Sequence, residues 1–241
     1  MPGGSYSAVS GMRSRLDELD RLAGDLANVS TPGYKVERAG TQSVEREAAF
    51  SSTLDSAVDV VSGKAKIDFR PGVIATTGRD LDVAIEGRGF FVVDTPAGER
   101  YTRNGAFTRR ADGVLATTQG EPVLGESGEI TLTTGNATID ADGTVKSGAT
   151  VLGKLQVVEF AADSDLARES GARFRAIPGA TSQPSEKARL VTGSIEQSNA
   201  NVVEIMARLT EVSRGFESLQ RGVTTLTNEL DGRAISELTR R

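Results

Sequence analysis

The sequence predicts an α+β protein, with coiled-coil-like α-helices at the N- and C-terminal ends pairing with each other and an antiparallel all-β domain inserted between them. Three observations carry this expectation. Apolar residues recur at alternating spacings of 3 and 4 near both ends of the 241-residue chain, the period falls to two in between, and turn residues interrupt that middle stretch at short intervals. The corresponding division is a discontinuous terminal helical domain, 1–74 plus 191–241, which includes an extended connector, and a β-rich domain over 75–190.

The N-terminal helix rests on Val9, Met12, Leu16, Leu19, Ala23 and Leu26, which form a heptad seam, while Arg13, Arg15, Asp17, Glu18, Asp20 and Arg21 fill the other faces. It stops at Asn28-Val29-Ser30-Thr31-Pro32-Gly33, because Pro32 cannot continue the hydrogen-bond ladder and biases Thr31 away from the helical region. The C-terminal helix rests on Val202, Ile205, Leu209, Val212, Phe216, Leu219, Val223, Leu226 and Leu230, again at 3 and 4 spacing throughout. Asn201 and Glu204 form an N-cap and N3 pair and Asp231-Gly232 supplies a stop, so the predicted helix over 201–230 is roughly 45 Å long. The plain reading is that the two helices pack on each other and do nothing more. Their unequal lengths, however, leave part of the longer seam without an intramolecular partner.

Strands are expected at Leu81–Ile85, Gly89–Val93, Gly113–Thr117, Ile130–Leu132 and Lys154–Phe160. Pro96-Ala97-Gly98, Asn104-Gly105, Ala111-Asp112-Gly113 and Ala141-Asp142-Gly143 separate them with residues that tolerate positive φ. Residues 35–74 show no clean period, and Gly63–Gly72 reads as an extended connector.

Composition narrows the function. With 28 Lys and Arg against 33 Asp and Glu, the net charge of −5 lacks the basic footprint of a nucleic-acid binder. The absence of His and Cys excludes Ser-His-Asp and Cys-His nucleophile systems, the usual zinc sites and disulfides. No cleavable signal peptide and no run approaching the ~20 apolar residues of a bilayer-spanning helix is visible.

The remaining motifs have simpler explanations. Gly87-Arg88-Gly89 lacks the strand, helix and further glycine of a dinucleotide fingerprint and reads as a turn. Asp140-Ala141-Asp142-Gly143 begins like a calcium loop, but Val151 stands where the bidentate glutamate belongs. Asp80 with Asp82 and Asp163 with Asp165 are the closest carboxylate pairs that invite a glycosidase reading, and the absence of Trp argues against a sugar cleft. Arg100, Arg103, Arg109 and Arg110, interleaved with Tyr101 and Phe107, read as an ordinary charged hairpin. Asn28-Val29-Ser30 and Asn136-Ala137-Thr138 match the glycosylation sequon and read as caps and turns. No catalytic, cofactor-binding or metal-ligating residue is predicted.

Leu26-Ala27-Asn28-Val29-Ser30-Thr31-Pro32-Gly33-Tyr34-Lys35 resembles the N-terminal signature of the bacterial flagellar rod and hook proteins, with Asn28, Thr31, Pro32, Gly33 and Tyr34 forming its turn. The similarity continues through Thr77–Val93, Tyr101–Phe107, Asp112–Leu115 and Gly120–Gly125, and returns at Gly193–Glu204. Ser213-Arg214-Gly215-Phe216-Glu217, followed by Asp231-Gly232-Arg233-Ala234, resembles the proximal-rod members more than the distal-rod members, which typically carry Gln-Arg-Ala-Tyr-Glu at the first position. Gly24-Asp25 replace the paired asparagines common in the family.

The resemblance implies a structural subunit of the basal-body drive shaft, with self and neighbouring rod proteins as partners. It also implies export by the flagellar type III apparatus without a cleaved signal, a location in the periplasmic rod, and a role in motility. Both seams would then be assembly surfaces, since a head-to-tail interface that does not close into a ring propagates as a helical filament. Three readings stand beside it: a distal-rod or hook-type axial subunit of the same family, a periplasmic carbohydrate-binding β domain on a coiled-coil stalk, and an intracellular coiled-coil adaptor.

Overall fold

The computed structural model of the protein describes residues 3–40, 63–132, 136–185 and 188–238. The chain folds as two units, one of Met1–Ala27, Ala39–Ala65 and Asn201–Arg241, the other of Asn28–Arg38 and Lys66–Ala200.

The first unit holds α1, Gly3–Ala27, and α2, Val202–Leu238. Asn201 caps α2: its side-chain oxygen accepts from the amides of Val203 at 3.0 Å and Glu204 at 3.3 Å, two donors the first helical turn leaves without carbonyl partners. The helix does not stop at Asp231-Gly232 but continues to Leu238. One interior glycine costs only about 1 kcal/mol relative to alanine, and the good helix formers Arg233, Ala234, Glu237 and Leu238 follow it.

The expected fold class requires correction. Among the described residues the chain is mostly β-sheet with a single helix at each end, and the terminal helices do not form a paired coiled coil. A coiled-coil seam buries every knob in a hole of the facing helix. Here Leu16 is 46% exposed and Leu219 36%. The more covered line on α1 runs through Met12, Arg15, Leu19, Leu22 and Leu26, with Leu22 buried and Ala23 exposed. Both lines alternate 3 and 4 and share Met12, Leu19 and Leu26; they differ only in phase, which apolar spacing does not determine. Glu18 of α1 and Arg208 of α2 form an ion pair at 2.9 Å.

The inserted all-β domain is present. In the second unit a six-stranded sheet places Leu166–Ser170, Arg173–Ala176, Gly98–Thr102, Phe90–Thr95, Val157–Phe160 and Ser182–Pro184 side by side in that order. All of its neighbouring pairs are antiparallel. Over Phe90–Val93 the strand Phe90–Thr95 is covered on both faces. Phe91 and Val93 join one apolar cluster with Val83, Phe107, Leu115, Val123 and Val145, whereas Phe90 and Val92 join another with Tyr101, Val158, Phe160 and Phe174. Alternate side chains of a strand point to opposite faces, so a strand between two cores carries an unbroken apolar run, here Phe90-Phe91-Val92-Val93.

Two hairpins around the first core are built alike. The amides of Gly113 and Gly143 donate to the carbonyls of Arg110 and Asp140, each at 2.9 Å, and those of Arg110 and Asp140 donate to Val114 and Thr144, again at 2.9 Å. The carboxylates of Asp112 and Asp142 accept from the amides of Val114 and Thr144. The glycine carbonyls then accept from Leu132 at 2.7 Å and Leu155 at 2.8 Å. Leu115 and Val145 are correspondingly buried in the same cluster.

Phe91 is fully buried and packs edge to face on Phe107, with ring centroids 5.1 Å apart. Phe91→Ala is therefore expected to destabilise the protein by about 3–5 kcal/mol, read as a lowered denaturant midpoint. A midpoint unchanged from wild type would contradict this packing.

Candidate functional site

The turn after α1 is held by its own residues. The Thr31 amide donates to the Asn28 carbonyl at 3.0 Å, its hydroxyl donates to the Asn28 side-chain oxygen at 3.2 Å, and the Tyr34 amide donates to the Thr31 carbonyl at 3.2 Å. Gly33 has φ of +69°, and a Cβ there would lie 2.3 Å from the Asn104 amide nitrogen. The position thus requires glycine for its backbone conformation and for the close approach. Its amide donates to the Glu196 carbonyl at 2.7 Å, joining the segment that enters the β unit to the one that leaves it.

Beneath this turn lies a buried ion cluster. One Glu196 oxygen accepts from Lys35 Nζ at 2.5 Å and from the Gly72 amide at 2.8 Å, and the other accepts from Arg103 Nη1 at 3.4 Å. Lys35 is 0% exposed, Glu196 1% and Arg103 4%. Lys35 Nζ also donates to the Arg70 carbonyl at 2.9 Å, and Arg103 Nη2 donates to the Gly87 carbonyl at 2.8 Å. Burial pushes both the Lys35 ammonium and the Arg103 guanidinium down from their ordinary pKa values, and the Glu196 carboxylate opposes the shift in each.

The same two segments are stitched above the cluster. Asn199 accepts from the Val36 amide at 2.9 Å and donates to the carbonyls of Asp68 at 2.8 Å and Arg70 at 3.1 Å. The Arg168 guanidinium lies 4.4 Å from the centre of the buried Tyr34 ring, donates to Glu37 at 2.7 Å and also bonds the Lys35 carbonyl. Chemically the arrangement binds chain to chain: every partner of the Glu196 carboxylate is a donor from a different stretch of the protein.

The structure brings together the signature-turn residues Asn28, Thr31, Pro32, Gly33 and Tyr34. Of the seam residues, Ile205 and Val212 are buried; Met12, Leu19, Leu26, Val202, Leu209, Phe216 and Val223 are half-buried; Leu16, Ala23 and Leu219 are exposed. The side chains of Val9, Leu226 and Leu230 lie outside the described residues. The acidic pairs serve local structure: Asp82 accepts from the Thr77 hydroxyl at 2.7 Å, Asp165 accepts from the Ala162 amide at 3.1 Å, and Asp163 pairs with Arg88 at 3.1 Å. Among the described residues no group of three or more acidic, His or Cys side chains is arranged to hold a metal, and no helix is long and apolar enough to cross a membrane.

Sequence reasoning missed Arg103, Glu196, Asn199 and Arg168. Arg103 was expected on a solvated hairpin and instead turns inward. Its neighbours carry the available signal: Gly105 approaches Val83 so closely that a Cβ would lie 1.6 Å from the Val83 carbonyl oxygen, although neither Asn104 nor Gly105 takes the positive φ expected of a hairpin turn.

Gly33→Ala is expected to cost at least ~1–3 kcal/mol, since alanine must occupy the left-handed region; an unchanged melting temperature would contradict the close approach. Asp68 supplies a pH dependence. Hydrogen bonds from Arg70 and then Arg38 hold its carboxyl well below the usual carboxylate range. A depressed folded-state pKa contributes stability that is fully present above the unfolded value of about 3.9 and is lost as pH falls through the folded value. Asp68→Asn should therefore weaken the protein at pH 7 and flatten the acid limb of its stability curve, measured by denaturation across pH.

Comparison with known proteins agrees with this layout. The family model described as the flagellar hook protein FlgE/F/G D1 domain matches residues 84–147, and that of the flagellar basal body rod FlgEFG protein C-terminal matches 191–236. The flagellar basal-body rod protein FlgF of Caulobacter vibrioides is 34% identical, over 99% of this chain and 98% of its own. FlgF of Salmonella typhimurium is 33% identical over 95% of each chain, and the flagellar basal-body rod protein FlgG of Bacillus subtilis is 30% identical over 91% of this chain and 93% of its own. The chain belongs to the flagellar basal-body rod protein family and is most like its FlgF, proximal-rod members.

Proposed function

We propose that this structural subunit of the flagellar basal-body rod joins neighbouring copies and other rod proteins through faces of its two terminal helices. The observation that supports this is the apolar surface its own fold leaves uncovered on α1 and α2: Leu16, Val203, Met206 and Leu219 are all exposed. Large apolar side chains left open on helices mark a surface that another protein covers. A heterologous contact repeated from subunit to subunit builds a helical shaft rather than a closed ring. Leu16 and Leu219 of the two expected seams, with Val203 and Met206 beside the second, supply this contact, and torque passes through packing without a catalytic step.

In this reading the subunit reaches the periplasmic rod through the flagellar type III export apparatus. Electron cryo-microscopy of basal bodies from cells with and without the gene tests the placement. Rod density that accommodates α1, α2 and the β unit, and is lost on deletion, is the expected result; a complete rod in the deletion strain would overturn it.

Leu219→Asp separates folding from assembly. At a site 36% exposed it should lower the stability of the isolated protein by about 1 kcal/mol and leave the β unit folded. In the rod the same carboxylate would be buried without a partner. Incorporation into basal bodies and swimming are therefore expected to fail. Normal rods built from this variant would remove Leu219 from the interface.

A further inference from the structure

We infer that Glu196 is a positioning residue for assembly: its buried carboxylate locks the segment following α1 to the segment preceding α2 in one register, and so fixes the spacing from which the two helices depart. This rests on the assembly reading above.

Three stretches, 33–35, Gly72 and Arg103, converge on residue 196. Lys35 and the Gly72 amide share one oxygen, Arg103 takes the other, and the main-chain carbonyl accepts from Gly33. Arg103 in turn ties in Gly87. An apolar contact of similar size would tolerate sliding by a residue, because burial is non-directional. A carboxylate with two buried charged donors and a half-buried amide does not, since any shift leaves at least one of these groups without its partner. Stability alone does not account for the choice: buried ion pairs replaced by well-packed apolar residues are often as stable or more so. What the ions supply is a unique arrangement, at the two places where the chain enters and leaves the β unit. Asn199, bonded to Val36 and to the carbonyls of Asp68 and Arg70, repeats the device three residues later.

The sequence has no cysteine, so Ser30→Cys with Gln197→Cys, both at exposed positions, provides the only two thiols for paired spin labels on the full-length protein. In the otherwise unaltered chain a single narrow distance distribution is expected. In the Lys35→Met/Glu196→Leu/Arg103→Met background the distribution should broaden at least twofold while the protein stays folded and the amides of Phe90–Thr95 stay protected from hydrogen exchange. A folded triple variant with the narrow distribution intact would overturn the proposal.

If the triple variant does not fold, Glu196→Gln decides, because it preserves shape and removes the charge. Faster exchange confined to the amides of Gly33, Val36 and Gly72 supports the lock; a uniform acceleration across the sheet, or none, refutes it. These readouts use the isolated protein, so their failure is distinct from failure of the rod assignment, which is decided by the wild-type chain in basal bodies.

Discussion

One buried carboxylate organises the β unit. Glu196 stands at the end of the strand Ser194–Glu196, which pairs with Ile74–Thr76, and its side chain draws Lys35, Gly72 and Arg103 inward. Without it, two buried cations would face each other with no negative charge between them, a cost of several kcal/mol per ion. The bond from Lys35 to the Arg70 carbonyl and the close approach of Gly33 to Asn104 accompany that convergence. Each is a short contact that only a fixed register of the entering and leaving segments permits.

Legibility in the sequence followed the physics of each part. The antiparallel domain was readable because Phe90–Val93, Leu115–Thr117 and Val157–Phe160 carry runs that only strands bury efficiently, and because Gly98, Gly113 and Gly143 all take positive φ where turns were expected. Helices at both ends were readable from their apolar period. Their mutual arrangement was not: Leu16 and Ala23 form as good a seam by spacing as Arg15 and Leu22, and the choice between phases depends on what lies opposite. The Asp231-Gly232 stop failed for a related reason, since local propensity of about 1 kcal/mol yields to a favourable run on either side.

The candidate site was half legible. Asn28, Thr31, Pro32, Gly33 and Tyr34 are turn chemistry, local in sequence and readable as such. Lys35 with Glu196 and Arg103 is a long-range set whose members look like surface charges one at a time. Composition predicts that charged residues sit in water, and only the fold reveals that these three do not. Asp82 and Asp163 illustrate the opposite case, carboxylates that suggested chemistry in pairs and prove to cap a loop and balance an arginine.

The bond from the Gly33 amide to the Glu196 carbonyl, with that from Asn199 to the Tyr34 carbonyl, has a mechanical consequence. Because the chain's way in and its way out are tied directly to each other, a pull between them is carried across a few short cross-links. The sheets beyond form a closed loop that feels none of the tension until those links part. The β unit is in effect a bead threaded at its neck, and its hairpins keep their shape for as long as the neck holds.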